Sequence, residues 1–111
     1  MDEKKRNDMK GKKMKTYNVW YRKEPTYWFD KGLKVADISI KYCPVGNVRA
    51  GCLDEVFEHR QSEVWSPKFE KEMTDLIKQL GLSHSSMSVG DVAEVNGNYY
   101  QLDLSCWRSV N

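Results

Sequence analysis

The chain has 111 residues, enough for one domain with one modest core, and its four Trp, six Tyr and three Phe argue against disorder. No apolar run approaches the roughly 20 residues that a membrane-spanning helix needs, and the charged first residues do not form a secretory signal, so no membrane partner is predicted. Three cysteines without a C-x-x-C pair favour reduced thiols in a cytoplasmic protein over a disulfide framework or a zinc site.

Charge is unevenly distributed along the chain. Residues 1–16 contain seven Lys or Arg and three acidic residues, whereas the remaining 95 residues contain eleven basic and thirteen acidic ones. We therefore predict a flexible basic tail over residues 1–15 and a single, mildly acidic domain over residues 16–111, with Met14 as a candidate natural start. The tail can attract phosphate without sequence specificity, but the folded part lacks the positive surface typical of a nucleic-acid-binding domain.

The first half of the domain is predicted to supply two strands. Residues 16–22 (TYNVWYR) are rich in β-forming side chains, and Pro25 ends this strand because proline cannot donate to a ladder. Three consecutive aromatic residues at 27–29 follow, either in the core or on a partly exposed surface. Residues 34–43 (KVADISIKYC) alternate apolar and polar side chains and predict a second strand with one solvated face, which the turn-forming residues 44–47 (PVGN) end.

Two helices are predicted in the middle of the chain. Residues 53–61 (LDEVFEHRQ) carry acidic residues in the first turn and an inner apolar stripe that includes the aliphatic stem of Arg60. Ser66 and Pro67 mark the start of the second helix, as N-cap and first helical residue. Gly81 is placed to end it in a left-handed conformation, in a Schellman motif. The inner stripe of this second helix consists of Phe69, Met73, Leu76, Ile77 and Leu80.

A β-hairpin near the C-terminus is the strongest local prediction. Asn96-Gly97 tolerates the two positive φ angles of a type I′ turn and separates two β-rich segments, residues 92–95 and 99–104. Pairing of Val95 with Asn98 would place the more apolar side chains on one face, which is taken as the core face. That face comprises Ala93, Val95, Tyr100, Leu102 and Leu104. Residues 104–110 are predicted to form a closing strand or an edge segment.

The fold class follows from the order of these elements, ββααββ. Helices grouped between strands are typical of α+β domains. We therefore predict an α+β domain with a largely antiparallel sheet of four to five strands and two helices packed on one face.

Three segments of the chain resemble a group of small uncharacterised proteins found in bacterial genomes, plasmids and phages. They are TYNVWYRKEPTYWFDKGL, LDEVFEHRQSEVWSP and LIKQLGLSHSSMSVGDV, and the resemblance covers nearly all of residues 15–108. The signature is VWY, then EVWSP, then SMSVGDV, and the late hairpin is also similar to that of YodL-like phage and mobile-element domains. The chain departs from the pattern around residues 41–48 and has extra residues before Leu76. The resemblance implies an intracellular accessory protein of a mobile element and supplies no mechanism.

His84 is a candidate for chemistry, since it lies among four serines with Asp91 close in sequence. A Ser-His-Asp hydrolase is one interpretation, although no nucleophile elbow G-x-S-x-G is present. The alternative is a structural loop in which the serines and Asp91 bond turn backbone and His84 satisfies a polar group at the sheet edge. His59 with Glu55, Glu58 and Glu63 is a candidate metal set, in which His59 and Glu55 share a helix face, but no second His or Cys lies nearby, which favours a solvated helix face. No metal, cofactor or catalytic residue is therefore predicted.

Aromatic side chains are the one unusual surplus, because a core of this size cannot easily hide all of them. Partly exposed Trp and Tyr are favoured as interface anchors and can also stack single-stranded bases. Trp28, Trp65, Tyr99 and His84 are the predicted binding residues. The leading hypothesis is a non-enzymatic protein-binding module that acts on a host or defence protein or forms a homodimer. A single-stranded nucleic-acid binder that uses residues 1–15 and exposed aromatics is one alternative, and a small hydrolase centred on His84 is another.

Overall fold

The computed structural model describes residues 13–24, 32–104 and 106–111. Most of the predicted basic tail and the aromatic run that contains Trp28 lie outside the described residues. The described part contains five strands and three helices. They are β1 (Lys15–Arg22), α1 (Val35–Lys41), β2 (Tyr42–Ala50), α2 (Leu53–His59), α3 (Pro67–Leu80), β3 (Val92–Val95), β4 (Asn98–Leu102) and β5 (Trp107–Val110), with a short 3₁₀ turn at Ser62–Val64 between α2 and α3.

The five strands form one open sheet in the order β2-β1-β3-β4-β5, and every neighbouring pair is antiparallel. The predicted α+β class with a largely antiparallel sheet is therefore confirmed. The predicted closing strand is present as β5, but it begins only at Trp107. Because β1 lies between β2 and β3, the first strand joins the two halves of the chain, and β2 is left at one edge of the sheet.

The prediction of a strand over residues 34–43 is wrong, because residues 35–41 form the helix α1. The backbone amide of Lys34 donates to the Asp37 carboxylate at 3.1 Å and so satisfies a free donor at the helix start. Ile38 is the buried residue of α1, whereas Ile40 is 68% exposed. The alternating pattern is overridden here by tertiary contacts, namely the burial of Ile38 in the second core and the bond from the Val35 amide to the Asn111 carbonyl at 3.0 Å.

The strand β2 runs through residues 44–47, which the sequence predicts as a turn. The pairing with β1 shifts register between Asn18 and Trp20, so that β2 bulges at this point. Gly46 has a φ of +111° in the bulge, and Pro44 is tolerated because β2 is an edge strand. Proline and glycine therefore mark an irregularity within the strand and not its end.

The sheet is covered on both faces. One face packs against α2 and α3, which confirms the predicted pair of helices, and the other packs against α1, a third helix that the sequence does not predict. The first core is formed mainly by Tyr17, Val19, Tyr21, Ala93 and Val95 from the sheet with Val56, Met73 and Ile77 from the helices. The second joins Leu33, Ile38, Tyr42, Val92 and Val110, with Trp20 and Tyr99 partly buried beside them.

The hairpin is confirmed in its turn and its register. Asn96 and Gly97 have φ angles of +50° and +83°, and Val95 pairs with Asn98. The predicted core face is confirmed for Ala93, Val95, Tyr100 and Leu102, which belong to the first core. It is wrong for Leu104, which is 84% exposed because β4 ends at Leu102.

Both predicted ends of α3 are confirmed. The Ser66 hydroxyl accepts from the Phe69 amide at 3.2 Å, as an N-cap does. At the other end Gly81 has a φ of +71°, and the Leu82 amide donates to the Ile77 carbonyl at 3.0 Å, which closes the Schellman motif. No helix in the described part of the chain is long and apolar enough to cross a lipid bilayer.

Candidate functional site

An open groove runs between the outer edge of β2 and the connection from α2 to α3. Its volume is about 370 Å³. It is lined by Asn47, Val48, Arg49, His59, Arg60, Val64, Trp65, Ser66 and Phe69. The lining combines apolar and basic side chains and contains no acidic one, so the groove has a distinct chemical character on a domain that is otherwise mildly acidic.

Trp65 and Phe69 form an aromatic wall along this groove. Their ring centroids are 5.2 Å apart and their ring planes cross at 87°, an edge-to-face pair. The Trp65 indole N–H donates to the His59 carbonyl at 2.8 Å, which fixes the orientation of the ring. Phe69 is 37% exposed and the neighbouring Val64 is 63% exposed. The aromatic wall is therefore held in place and open to solvent, as an anchor site for a partner's side chain should be.

Arg60 lines the same groove but is only 3% exposed. α2 ends earlier than predicted, so that Arg60 follows its last residue. Its Nη2 donates to the carbonyls of Val45 and Asn47 at 3.3 and 3.4 Å, and its Nη1 lies 3.2 Å from the Met73 sulfur. Its Nε has no hydrogen-bond partner. Burial lowers the pKa of the Arg60 guanidinium, because a charge is disfavoured where water is excluded.

A second group of polar side chains lies in the loop between α3 and β3 and is centred on Asp91, which is fully buried. The Oδ1 of Asp91 accepts from the Arg22 amide at 2.9 Å. Its Oδ2 accepts from the Ser88 amide at 2.8 Å and lies 2.8 Å from Nε2 of His84. The Arg22 Nε is 3.6 Å from Oδ1. Asp91 therefore joins the loop to the end of β1.

His84 packs beneath this loop and is half-buried. Its ring stacks on Tyr21, with centroids 4.6 Å apart and planes 20° from parallel, and the Tyr21 hydroxyl donates to the Ser85 carbonyl at 2.8 Å. The Ser83 hydroxyl is 3.5 Å from Nδ1 of His84, too long for a strong hydrogen bond. Among the described residues no other serine hydroxyl hydrogen-bonds to the imidazole, whereas both oxygens of Asp91 accept from backbone amides. This geometry favours loop organisation over activation of a nucleophile.

The Asp91 loop also holds the groove in shape. The Met87 amide donates to the Arg60 carbonyl at 3.0 Å, and the Ser62 amide donates to the Ser86 hydroxyl at 3.0 Å. These bonds attach the α2–α3 connection, which carries the aromatic wall, to the SMSVGDV segment. The groove and the Asp91 loop are therefore joined directly by hydrogen bonds.

The structure separates the predicted binding residues. Trp65 lines the groove, and His84 lies in the Asp91 loop. Tyr99 is half-buried on the opposite face of the sheet, beside the second core. Trp28 lies outside the described residues. The described aromatic side chains do not form one continuous surface, and the binding role of each of the four residues stays a prediction.

Sequence reasoning missed Arg60 as a polar part of the groove and Arg22 as a partner of Asp91. Arg60 falls four residues after Val56, in line with the inner stripe of the predicted helix, with no acidic residue four positions away. An arginine at such a position is the signal that could have indicated a buried charge. Arg22 offers no comparable signal, because it ends a strand whose partner loop is distant in sequence.

In the described part of the chain no group of three His, Cys, Asp or Glu side chains could hold a metal ion, and Cys43, Cys52 and Cys106 are free thiols. The fold defines a small α+β domain with an open antiparallel sheet. Comparison of the chain with family models, with curated proteins and with solved structures gives no match.

Proposed function

We propose that this protein is a non-enzymatic protein-binding module whose partner docks in the groove against the aromatic wall. The supporting observation is that Val64, Trp65 and Phe69 stand together on its open side, with the Trp65 ring fixed from behind by its bond to the His59 carbonyl. Aromatic anchors held in this way contribute most of the binding energy at many protein interfaces. Exposed apolar side chains grouped in one place also mark interaction sites on small soluble domains.

The resemblance to small proteins of plasmids and phages supports a host or defence protein as the partner. In this proposal the protein is a cytoplasmic accessory of a mobile element. A second copy of the same chain is the other occupant that the proposal allows. The SMSVGDV segment serves the proposed function indirectly, because its Asp91 loop holds the connection that carries the aromatic wall.

The two alternative functions have narrower support. Binding of single-stranded nucleic acid would use residues 1–15 together with Trp65 as a stacking surface. A hydrolase centred on His84 has the 2.8 Å contact with Asp91 in its favour, but catalysis would also need an activated nucleophile beside the imidazole.

The proposed function is tested by comparing Trp65→Ala with Ile40→Ala, a matched variant at an exposed apolar residue of α1. Each tagged protein is incubated with host lysate, the retained proteins are quantified, and the mass in solution is measured by light scattering. We expect wild type and Ile40→Ala to retain the same partner or to dimerise, and Trp65→Ala to lose at least about tenfold of that binding. A monomer that retains no partner, or equal retention by all three folded proteins, overturns the proposal.

A further inference from the structure

The groove carries positive charge without any acidic side chain in its lining. Arg49 is exposed at its rim, and Arg60 forms part of its floor. Ser66, where α3 begins, also lines the groove, and the amides of the first helical turn add partial positive charge, which the exposed Glu70 in that turn partly offsets. An anionic group placed here would be attracted from several directions.

Arg60 is a buried cation without an acidic partner. Within the described ranges no carboxylate lies at ion-pair distance from its guanidinium. Two backbone carbonyls accept from Nη2, but Nε has no partner. Buried charges are ordinarily paired, because an uncompensated charge in a low-dielectric interior is costly. An acidic group bound at the mouth of the groove would offset part of this charge through space.

The outer edge of β2 beside the groove offers backbone groups for pairing. The Asn47 carbonyl accepts from Arg60 and so points away from β1. Successive residues of an antiparallel strand point their amide and carbonyl groups to alternate sides. Those of Arg49, two residues after Asn47, therefore also point away from β1. Among the described residues no backbone group outside the sheet hydrogen-bonds to them. An extended peptide can add to β2 over this short stretch, as in β-strand addition.

We infer that the groove binds an extended acidic peptide segment of the partner protein. The segment pairs its backbone with Arg49 and packs an apolar side chain against the aromatic wall. An Asp or Glu two positions away faces the same side of the extended segment and lies near Arg49 and Arg60. This inference rests on the proposed function and specifies the chemistry of the partner.

A peptide fits the groove better than a single-stranded nucleic acid does. Only a polypeptide supplies amides and carbonyls at the spacing that Arg49 presents along β2. Val64 lies beside the aromatic wall, is 63% exposed and has a branched side chain that offers no flat surface on which a base can stack. An aliphatic or aromatic side chain of a peptide can use the whole wall.

The inference is tested by affinity selection from random decapeptides displayed within a flexible loop, so that a free chain end cannot supply the charge. Enriched sequences are expected to share an Asp or Glu two positions from an apolar residue. A capped synthetic copy of one such peptide is titrated by fluorescence anisotropy against its Asn or Gln counterpart, which should bind at least about tenfold more weakly.

Variants of the protein complete the test. Arg49→Glu should weaken binding of the acidic peptide by a similar factor, about tenfold or more. Lys78→Glu, in the last turn of α3, changes the net charge equally and should leave binding unchanged. Arg60→Met keeps an unbranched side chain at the floor and should reduce the preference for the acidic peptide over its neutral counterpart.

The outcomes distinguish this inference from the proposed function. Enriched peptides that need Trp65 but contain no acidic residue, or that bind Arg49→Glu as well as wild type, overturn the inference and leave the groove as a protein-binding site. Failure to enrich any peptide overturns it as well. An oligothymidylate that displaces the acidic peptide and depends on Trp65 overturns the assignment in favour of nucleic acid. Equal retention of a lysate partner by Trp65→Ala is the separate result that removes the proposed function.

Discussion

The Arg60 guanidinium occupies the space that a side chain at Gly46 would need, across the bulge of β2. A Cβ at position 46 would come within 2.9 Å of Arg60 Nη2, closer than Cβ atoms approach other groups. The Gly46 φ of +111° also lies in the region that favours glycine. The absence of a side chain at this position is what allows the arginine to reach the β2 carbonyls.

Gly46→Ala is expected to lower the free energy of unfolding by about 2–4 kcal/mol, because backbone strain and displacement of the Arg60 hydrogen bonds add together. Gly81→Ala is the matched control. Its φ is also positive, +71°, but no atom lies within 4 Å of its Cβ position, so strain alone should cost about 1 kcal/mol. Urea denaturation measures both changes. Equal losses in the two variants would contradict the close contact between Gly46 and Arg60.

Asp91→Ala is expected to destabilise the domain by about 3 kcal/mol or more, because it removes a fully buried carboxylate and leaves the part-buried amides of Arg22 and Ser88 without an acceptor. His84→Ala removes one partner of Asp91 and a ring stack, so it should cost less, about 1 kcal/mol. Both values come from urea denaturation at neutral pH. If His84→Ala destabilised the protein as much as Asp91→Ala, the carboxylate would not be the centre of the loop. A hydrolytic activity that disappears in folded His84→Ala would favour the hydrolase alternative.

Stability should decline in alkaline solution because of Tyr21. Burial raises the pKa of its hydroxyl above the ordinary value of 10.0, so the folded state favours the neutral form. Below a pH of 10.0 the Tyr21 hydroxyl is neutral in both the folded and the unfolded state, and its contribution to the free energy of unfolding is fully present. Above it the unfolded chain ionises first, and stability falls by up to about 1.4 kcal/mol per pH unit as pH rises towards the folded pKa.

The alkaline decline is measured from urea midpoints of wild type and Tyr21→Phe between about pH 8 and pH 11, on either side of the ordinary tyrosine pKa. Tyr21→Phe should lose less stability over this range than wild type does. Some decline should remain, since burial also raises the pKa of Tyr17. Parallel curves for the two proteins would show that Tyr21 does not titrate differently in the folded and unfolded states.

Ser66→Ala should lower the free energy of unfolding by about 1 kcal/mol, because it removes the acceptor for the Phe69 amide at the start of α3. Ser66→Asp should keep most of the stability, since a carboxylate accepts the same hydrogen bond and complements the helix dipole. Ser62→Ala is a suitable control, because the hydrogen bond of Ser62 to Ser86 uses only its backbone amide. A loss in Ser62→Ala as large as that in Ser66→Ala would argue against the cap. Thermal unfolding monitored by circular dichroism resolves differences of this size.

Those parts of the fold that depend on a few neighbouring residues could be predicted from the sequence. The Asn96-Gly97 turn and the Ser66 cap each act within four residues, and both are present as predicted. α1 and β2 depend on distant contacts instead. Ile38 packs on the far face of the sheet, and the strand continues through Gly46 because Arg60, which is remote in sequence, occupies the bulge.

The groove could be predicted only in part for the same reason. Trp65 stands out in the sequence as an aromatic residue between two helices. The opposite side of the groove is formed by β2, which only the sheet topology brings close to Trp65. Alternation along the hairpin correctly places Tyr99 on the face opposite Ala93, but α1 covers that side of the sheet, which no local pattern indicates.

The Arg60 guanidinium also limits how copies of this protein can aggregate. Strand β2 is nine residues long and lies at the sheet edge. Without the Arg60 hydrogen bonds its outer edge would be a template for cross-β growth. Capping of the carbonyls of Val45 and Asn47 interrupts that template at its centre and leaves only a short pairing stretch. Under mildly destabilising conditions a chain without this arginine should seed thioflavin-positive fibrils, while the wild-type chain stays dispersed.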